Sequence, residues 1–134
     1  MSRVLCDCGH VIRDGTDHLP YKAHFLPDQN VDILWTKIVT DLTEMVEMTL
    51  SGRRKEWLAK HFDERYSTST LELSVSEQIS DYFSIVYGNH TGKMYQCEGC
   101  GALLLYRGFR QSPLKFMPVG GATSALRKIG DDGI

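Results

Sequence analysis

Four cysteines are the residues best suited to chemistry, and they stand in two tight pairs, Cys6-Asp7-Cys8 and Cys97-Glu98-Gly99-Cys100. Zinc takes four soft or borderline ligands in a tetrahedron. A tight turn carrying two cysteines supplies one edge of it. Each pair is followed at once by glycine, Gly9 and Gly101. Small residues there let backbone N–H groups turn toward sulfur. The two pairs together use every cysteine in the chain. The chemistry expected is one structural Zn2+ per chain on Cys6, Cys8, Cys97 and Cys100, with His10 as the natural substitute for Cys6.

Other uses of these residues fit less well. A redox Cys-x-x-Cys pair needs a lowered thiol pKa, which a helix N-terminus provides. Glu98-Gly99 is read between strands instead. Catalytic zinc keeps one position open, and four thiolates leave none. The His-x-Glu element of zinc deaminases is absent. His10, His18, His24, His61 and His90 form no Ser-His-Asp grouping that spacing reveals, so no catalytic residue is assigned.

The two knuckles resemble a zinc ribbon, in which two cysteine turns on β-hairpins share one ion. The resemblance rests on Cys-x-Cys-Gly at the start of the chain and Cys-x-x-Cys-Gly within Lys93 to Tyr106, about a fifth of the sequence. It implies that all four cysteines are ligands. The departure is Cys-x-Cys where a ribbon carries Cys-x-x-Cys. The long run from Gly9 to Gln96 lies between the pairs. A metal clip across so long a loop removes much unfolded-state entropy, so its binding energy is partly folding energy.

The elements that must position these sulfurs can be read on either side. Val4-Leu5 leads into the first pair and Val11-Ile12 leads out, with a turn at Asp14-Gly15. Tyr21 to Leu26 is a candidate strand. From Asn30 to Leu50 the period becomes helical, with Val31, Leu34, Trp35, Ile38, Leu42, Met45 and Val46 on one stripe. Asp28 or Asn30 is the expected cap, and Gly52 the stop. A second helix is expected from Arg53 to Tyr66, with Trp57, Leu58, His61 and Phe62 inward, then a Ser/Thr linker from Ser67 to Thr70. A third helix should start near Val75 behind a Ser74/Glu77 capping box and end at Gly88-Asn89. Its buried face is read as Ile79, Tyr82, Phe83 and Val86. Trp35, Ile38, Leu42, Phe62, Phe83 and Val86 are expected to share one core. Met94 to Gln96 and Ala102 to Tyr106 are strands around the second knuckle, with another possible over Leu114 to Met117. The fold class is α+β: a zinc-bound β-hairpin unit with two to three packed helices inserted between the knuckles. A single domain over residues 1–134 is expected, with 120–134 as a mobile tail.

Length and composition agree with one packed core: 134 residues, 42% hydrophobic and 24% charged. The formal net charge of −2 provides no global pull toward nucleic acid or an anionic membrane. With no apolar leader, a soluble cytoplasmic protein is expected. Two local charge features remain. The first helix carries Asp32, Asp41, Glu44 and Glu47 against Lys37. Arg53-Arg54-Lys55, Arg107, Arg110 and Lys115 lie near Tyr106 and Phe109 in the sequence or form their own run. The functional expectation is a non-catalytic binding protein acting through protein–protein contact, with Asp41, Glu44 and Glu47 facing a basic partner. An immunity protein against a nuclease-type toxin suits that character. A nucleic-acid-binding zinc ribbon is the alternative. No small-molecule substrate is identified.

Overall fold

Strand-type sequence at both ends of the chain and helix-type sequence in its middle produce two compact units, Met1–Phe25 with Thr91–Ile134, and Leu26–His90. The structure is a computed structural model in which residues 2–62, 73–108 and 110–129 are described. Among them are two antiparallel sheets and three helices, so the fold is α+β.

The β unit begins with a hairpin, β1 (Ser2–Leu5) and β2 (Val11–Asp14), in the register Val4 opposite Ile12. A four-stranded sheet has the order β3 (Lys22–Phe25), β4 (Gly92–Gln96), β5 (Leu103–Tyr106), β6 (Leu114–Phe116). The β3–β4 pair sets Ala23 opposite Met94, and β4–β5 sets Tyr95 opposite Leu104. Two strands adjacent in the sheet are thus separated in sequence by the whole helical unit. The core of this unit is Cys6, Ile12, Tyr95, Cys97, Ala102 and Leu104, so the Cys6 and Cys97 side chains sit among the apolar ones rather than beside them.

The helical unit contains α1 (Asp28–Leu50), α2 (Arg54–His61) and α3 (Val75–His90). The end of α1 follows from Gly52, which adopts φ 73°. That left-handed turn lets Arg53 N–H reach Met48 O at 2.7 Å and Gly52 N–H reach Thr49 O at 3.1 Å. These two bonds satisfy carbonyls that the helix leaves open. The start differs from expectation: Pro27 precedes the helix, and no side chain caps it. Asp28 still favours this end, because its charge opposes the helix dipole. Asn30 is used elsewhere, donating from Nδ2 to the His90 carbonyl at the end of α3.

Helix α3 opens as read, with Glu77 N–H donating to Ser74 Oγ at 3.3 Å. It does not stop at Gly88-Asn89 but continues to His90, whose carbonyl finds the Asn30 amide. Helix α2 ends at His61; residues 63–66 of the expected helix and the 67–70 linker lie outside the described residues.

Leu34, Met45, Trp57, Leu58, Phe62, Tyr82 and Val86 form the helical core, with Ile38, Leu42 and Ile79 half-buried against it. Two expected members are elsewhere: Trp35 is 72% exposed and Phe83 46%. Apolar side chains on α1 span a wider arc than its contacts with α2 and α3 cover. Periodicity detects the arc but not which half is covered. Trp57 takes the central place instead, fully buried, with its Nε1–H donating to Asp41 O at 2.8 Å.

Candidate metal centre

Each cysteine pair sits on a turn closed by the same two kinds of backbone bond. In the first, Cys6 N–H donates to His10 O at 3.0 Å and Gly9 N–H to Cys6 O at 2.9 Å. In the second, Cys97 N–H donates to Ala102 O at 2.9 Å and Gly101 N–H to Cys97 O at 2.8 Å. The first turn is the second with one residue removed, which is the difference between Cys-x-Cys and Cys-x-x-Cys. Gly9 (φ 93°) and Gly101 (φ 81°) hold corresponding places in the left-handed region. At Gly101 a Cβ would also come within 2.9 Å of Ala122 O.

The turns bring all four Sγ atoms within 4.8 Å of one another. Cys6 and Cys100 are 3.6 Å apart, and Cys8 and Cys97 3.5 Å. Zn–S bonds of about 2.3 Å in a tetrahedron require sulfurs about 3.8 Å apart. The four cysteines are free thiols at close to that spacing, and could hold one metal ion. The group contains Cys6 and not His10, which lies beside it: a Cβ on Gly99 would meet His10 Cβ at 3.2 Å.

Cys6 and Cys97 are buried, Cys100 is half-buried and Cys8 exposed. Burial pushes the Cys97 thiol up to about 12, while the N–H groups of Cys100 and Gly99 work the other way and favour its thiolate. Lys115 Nζ bonds Asp7 Oδ2 at 3.1 Å, tying β6 to the first knuckle. That bond raises the Lys115 ammonium above its ordinary value, and the Cys6 and Cys100 sulfurs add to the effect.

Gln96, fully buried just before Cys97, was not singled out from the sequence. Its Nε2 donates to Gly101 O at 3.1 Å and Ala122 O at 2.8 Å, and its Oε1 accepts from Ala125 N–H at 2.6 Å. One side chain therefore fastens the second knuckle to residues 122–125. Ala122 and Ala125 belong to the expected tail, of which residues 130–134 lie outside the described residues. The available signal was a polar residue that follows Met94 and Tyr95 and directly precedes Cys97. A second support is Asp14, which accepts from Lys22 Nζ at 2.8 Å and from the Tyr95 hydroxyl. Burial opposes ionisation of Asp14, but these two donors outweigh it and hold its carboxyl below the ordinary range.

The acidic residues of α1 do not form one free face. Asp41 is buried; it accepts from Lys37 Nζ at 2.8 Å and from Tyr82 Oη at 2.5 Å. Glu44 accepts from Lys60 Nζ at 2.8 Å, and Glu47 is exposed. A carboxylate at an inward helical position was readable from its phase, three residues after Ile38 and four before Met45. Arg53 serves the turn after α1, bonding Ser51 Oγ at 3.2 Å and Glu56 Oε2 at 3.4 Å. The basic residues fall in both units, and Phe109 lies outside the described residues.

Burial works against the Asp41 charge, yet Lys37 and Tyr82 outweigh it and keep its carboxyl below the usual value. Burial also pushes the His61 imidazole below its ordinary value; the Asp41 carboxylate 3.8 Å away opposes this without reversing it. A depressed carboxyl pKa contributes stability that is present above about pH 4 and lost as pH falls through the folded value. Asp41→Asn should therefore cost about 1–3 kcal/mol at neutral pH. In urea titrations of both proteins, that difference should shrink as pH falls below about 4. A difference independent of pH would show that the Asp41 charge contributes nothing.

No described helix is long and apolar enough to cross a membrane. Residues 2–118 match the family described as Domain of unknown function (DUF8617), and the chain belongs to that family. No curated protein and no solved structure matches the chain.

Proposed function

We propose that this member of the DUF8617 family is a non-catalytic binding module whose β unit is built, in the manner of a zinc ribbon, around one structural zinc ion. The observation that carries the metal reading is the convergence of four Sγ atoms within 4.8 Å from turns 89 to 94 residues apart in sequence. All-thiolate tetrahedral sites select zinc or iron. Four thiolates complete the tetrahedron, so the ion contributes folding energy and leaves no position for a substrate. Cys6, Cys8, Cys97 and Cys100 are the ligands in this reading.

The activity is contact with a basic protein, and immunity against a nuclease-type toxin is its specific form. Exposed acids on α1 support the charge of the partner: Asp28, Asp32 and Glu47. Asp41 supports the fold instead.

Metal analysis of the purified protein should give one zinc per chain. X-ray absorption at the zinc edge should show four sulfurs at about 2.3 Å. A metal-free folded protein, or a first shell of nitrogen and oxygen, would end this reading.

A further inference from the structure

We propose that the outer face of α1 is a docking strip for a basic amphipathic helix of the partner protein. The inference rests on the binding-module reading and names the partner's chemistry. At 100° per residue, Val31, Trp35, Val39, Val46 and Leu50 fall within an arc of about 100°. All five are exposed, Trp35 by 72% and Leu50 by 84%. Leu42 lies inside this arc, between Val31 and Trp35, and is half-buried, so the strip runs on from the helical core to the surface. A contiguous apolar strip containing tryptophan is costly to leave in water and marks an interaction surface.

The charges around the strip decide what covers it. Asp28 and Asp32 lie within the same arc and Glu47 about 60° past it, all exposed. The basic residue of α1, Lys37, projects on the opposite side and is bonded to Asp41. A second copy packed on this face would bring identical acidic margins together. Anionic lipid and nucleic acid meet the same repulsion. An amphipathic helix with a leucine-type stripe and flanking lysines satisfies both the apolar strip and its acidic border.

The test uses the full chain with its native metal and a designed peptide of about 18 residues, amphipathic, built from Leu and Lys. Its Leu/Glu counterpart is the control. Trp57 is already buried, so Trp35 should report contact as a blue shift of fluorescence. The Leu/Lys peptide should produce that shift and the Leu/Glu peptide should not. Val39→Ser with Val46→Ser, and separately Asp32→Lys with Glu47→Lys, should each weaken binding about tenfold. These positions are exposed, so circular dichroism should be unchanged. Equal binding of both peptides, no binding of the Leu/Lys peptide, or indifference to charge reversal would overturn the proposal. So would self-association abolished by the serine pair, or a blue shift on phosphatidylglycerol vesicles. Metal content measured on the same samples separates failure of the zinc reading from failure of this one.

Discussion

Replacing Cys97 with serine is expected to unfold the β unit. Its side chain is fully buried, its Sγ lies 3.5 Å from that of Cys8, and its backbone N–H closes the knuckle on Ala102 O. Removing one thiolate leaves the remaining three without a complete tetrahedron inside a small apolar core. Structural zinc sites in peptides are worth about 10–16 kcal/mol at neutral pH, as much as the whole stability of an ordinary domain, about 5–15 kcal/mol. This unit has few other resources: several of its strands are four residues long or less, and β6 is exposed throughout. Hydrogen exchange should show the amides of β4 and β5 losing protection in Cys97→Ser and, equally, in wild-type protein treated with a strong chelator. Cys8→Ser should be milder, because Cys8 is exposed and water can approach the vacated position. A Cys97→Ser protein melting within about 2 °C of wild type would show the cluster to be dispensable.

Trp57→Ala should be the most damaging single change in the helical unit, at about 3–5 kcal/mol. The indole is wholly buried; its ring centroid lies 4.7 Å from that of His61, 5.4 Å from Tyr82 and 6.3 Å from Phe62. Its N–H also satisfies the Asp41 carbonyl on α1. Removing it opens a cavity where α1, α2 and α3 meet and leaves that carbonyl without its indole donor. Trp57→Phe keeps most of the apolar volume and loses the hydrogen bond, so about 1–2 kcal/mol is expected. Urea unfolding followed by circular dichroism measures both, and the phenylalanine variant remains informative if the alanine variant does not fold. A cost below about 1 kcal/mol for Trp57→Ala would place the centre of this core elsewhere. Trp35→Ala, by contrast, should change stability by about 0.5 kcal/mol or less, because Trp35 is 72% exposed.

Local rules made much of the protein legible in sequence. Two Cys-Gly turns announced a cluster of candidate metal ligands because ligand type and turn chemistry are short-range properties, and the structure brings those four sulfurs together. Gly52 marked the end of α1 because its left-handed φ is a local requirement, and Ser74 with Glu77 marked the start of α3 for a similar reason. Strands flanking the knuckles followed from apolar runs bounded by glycine.

Tertiary packing decided the rest. Asp41 looked like one acid of a charged face, but Lys37, Tyr82 and the Trp57 N–H meet around it, and two of those groups come from other helices. Trp35 looked like core, yet the contacts of α1 leave its half of the apolar arc exposed. Gln96 holds Ala122 and Ala125, 26 and 29 residues away, through bonds that no local pattern encodes. A sequence specifies which residues are apolar, charged or ligating, together with their spacing along one element. Which side of an element is covered, and which polar group meets which, depends on partners brought from far along the chain.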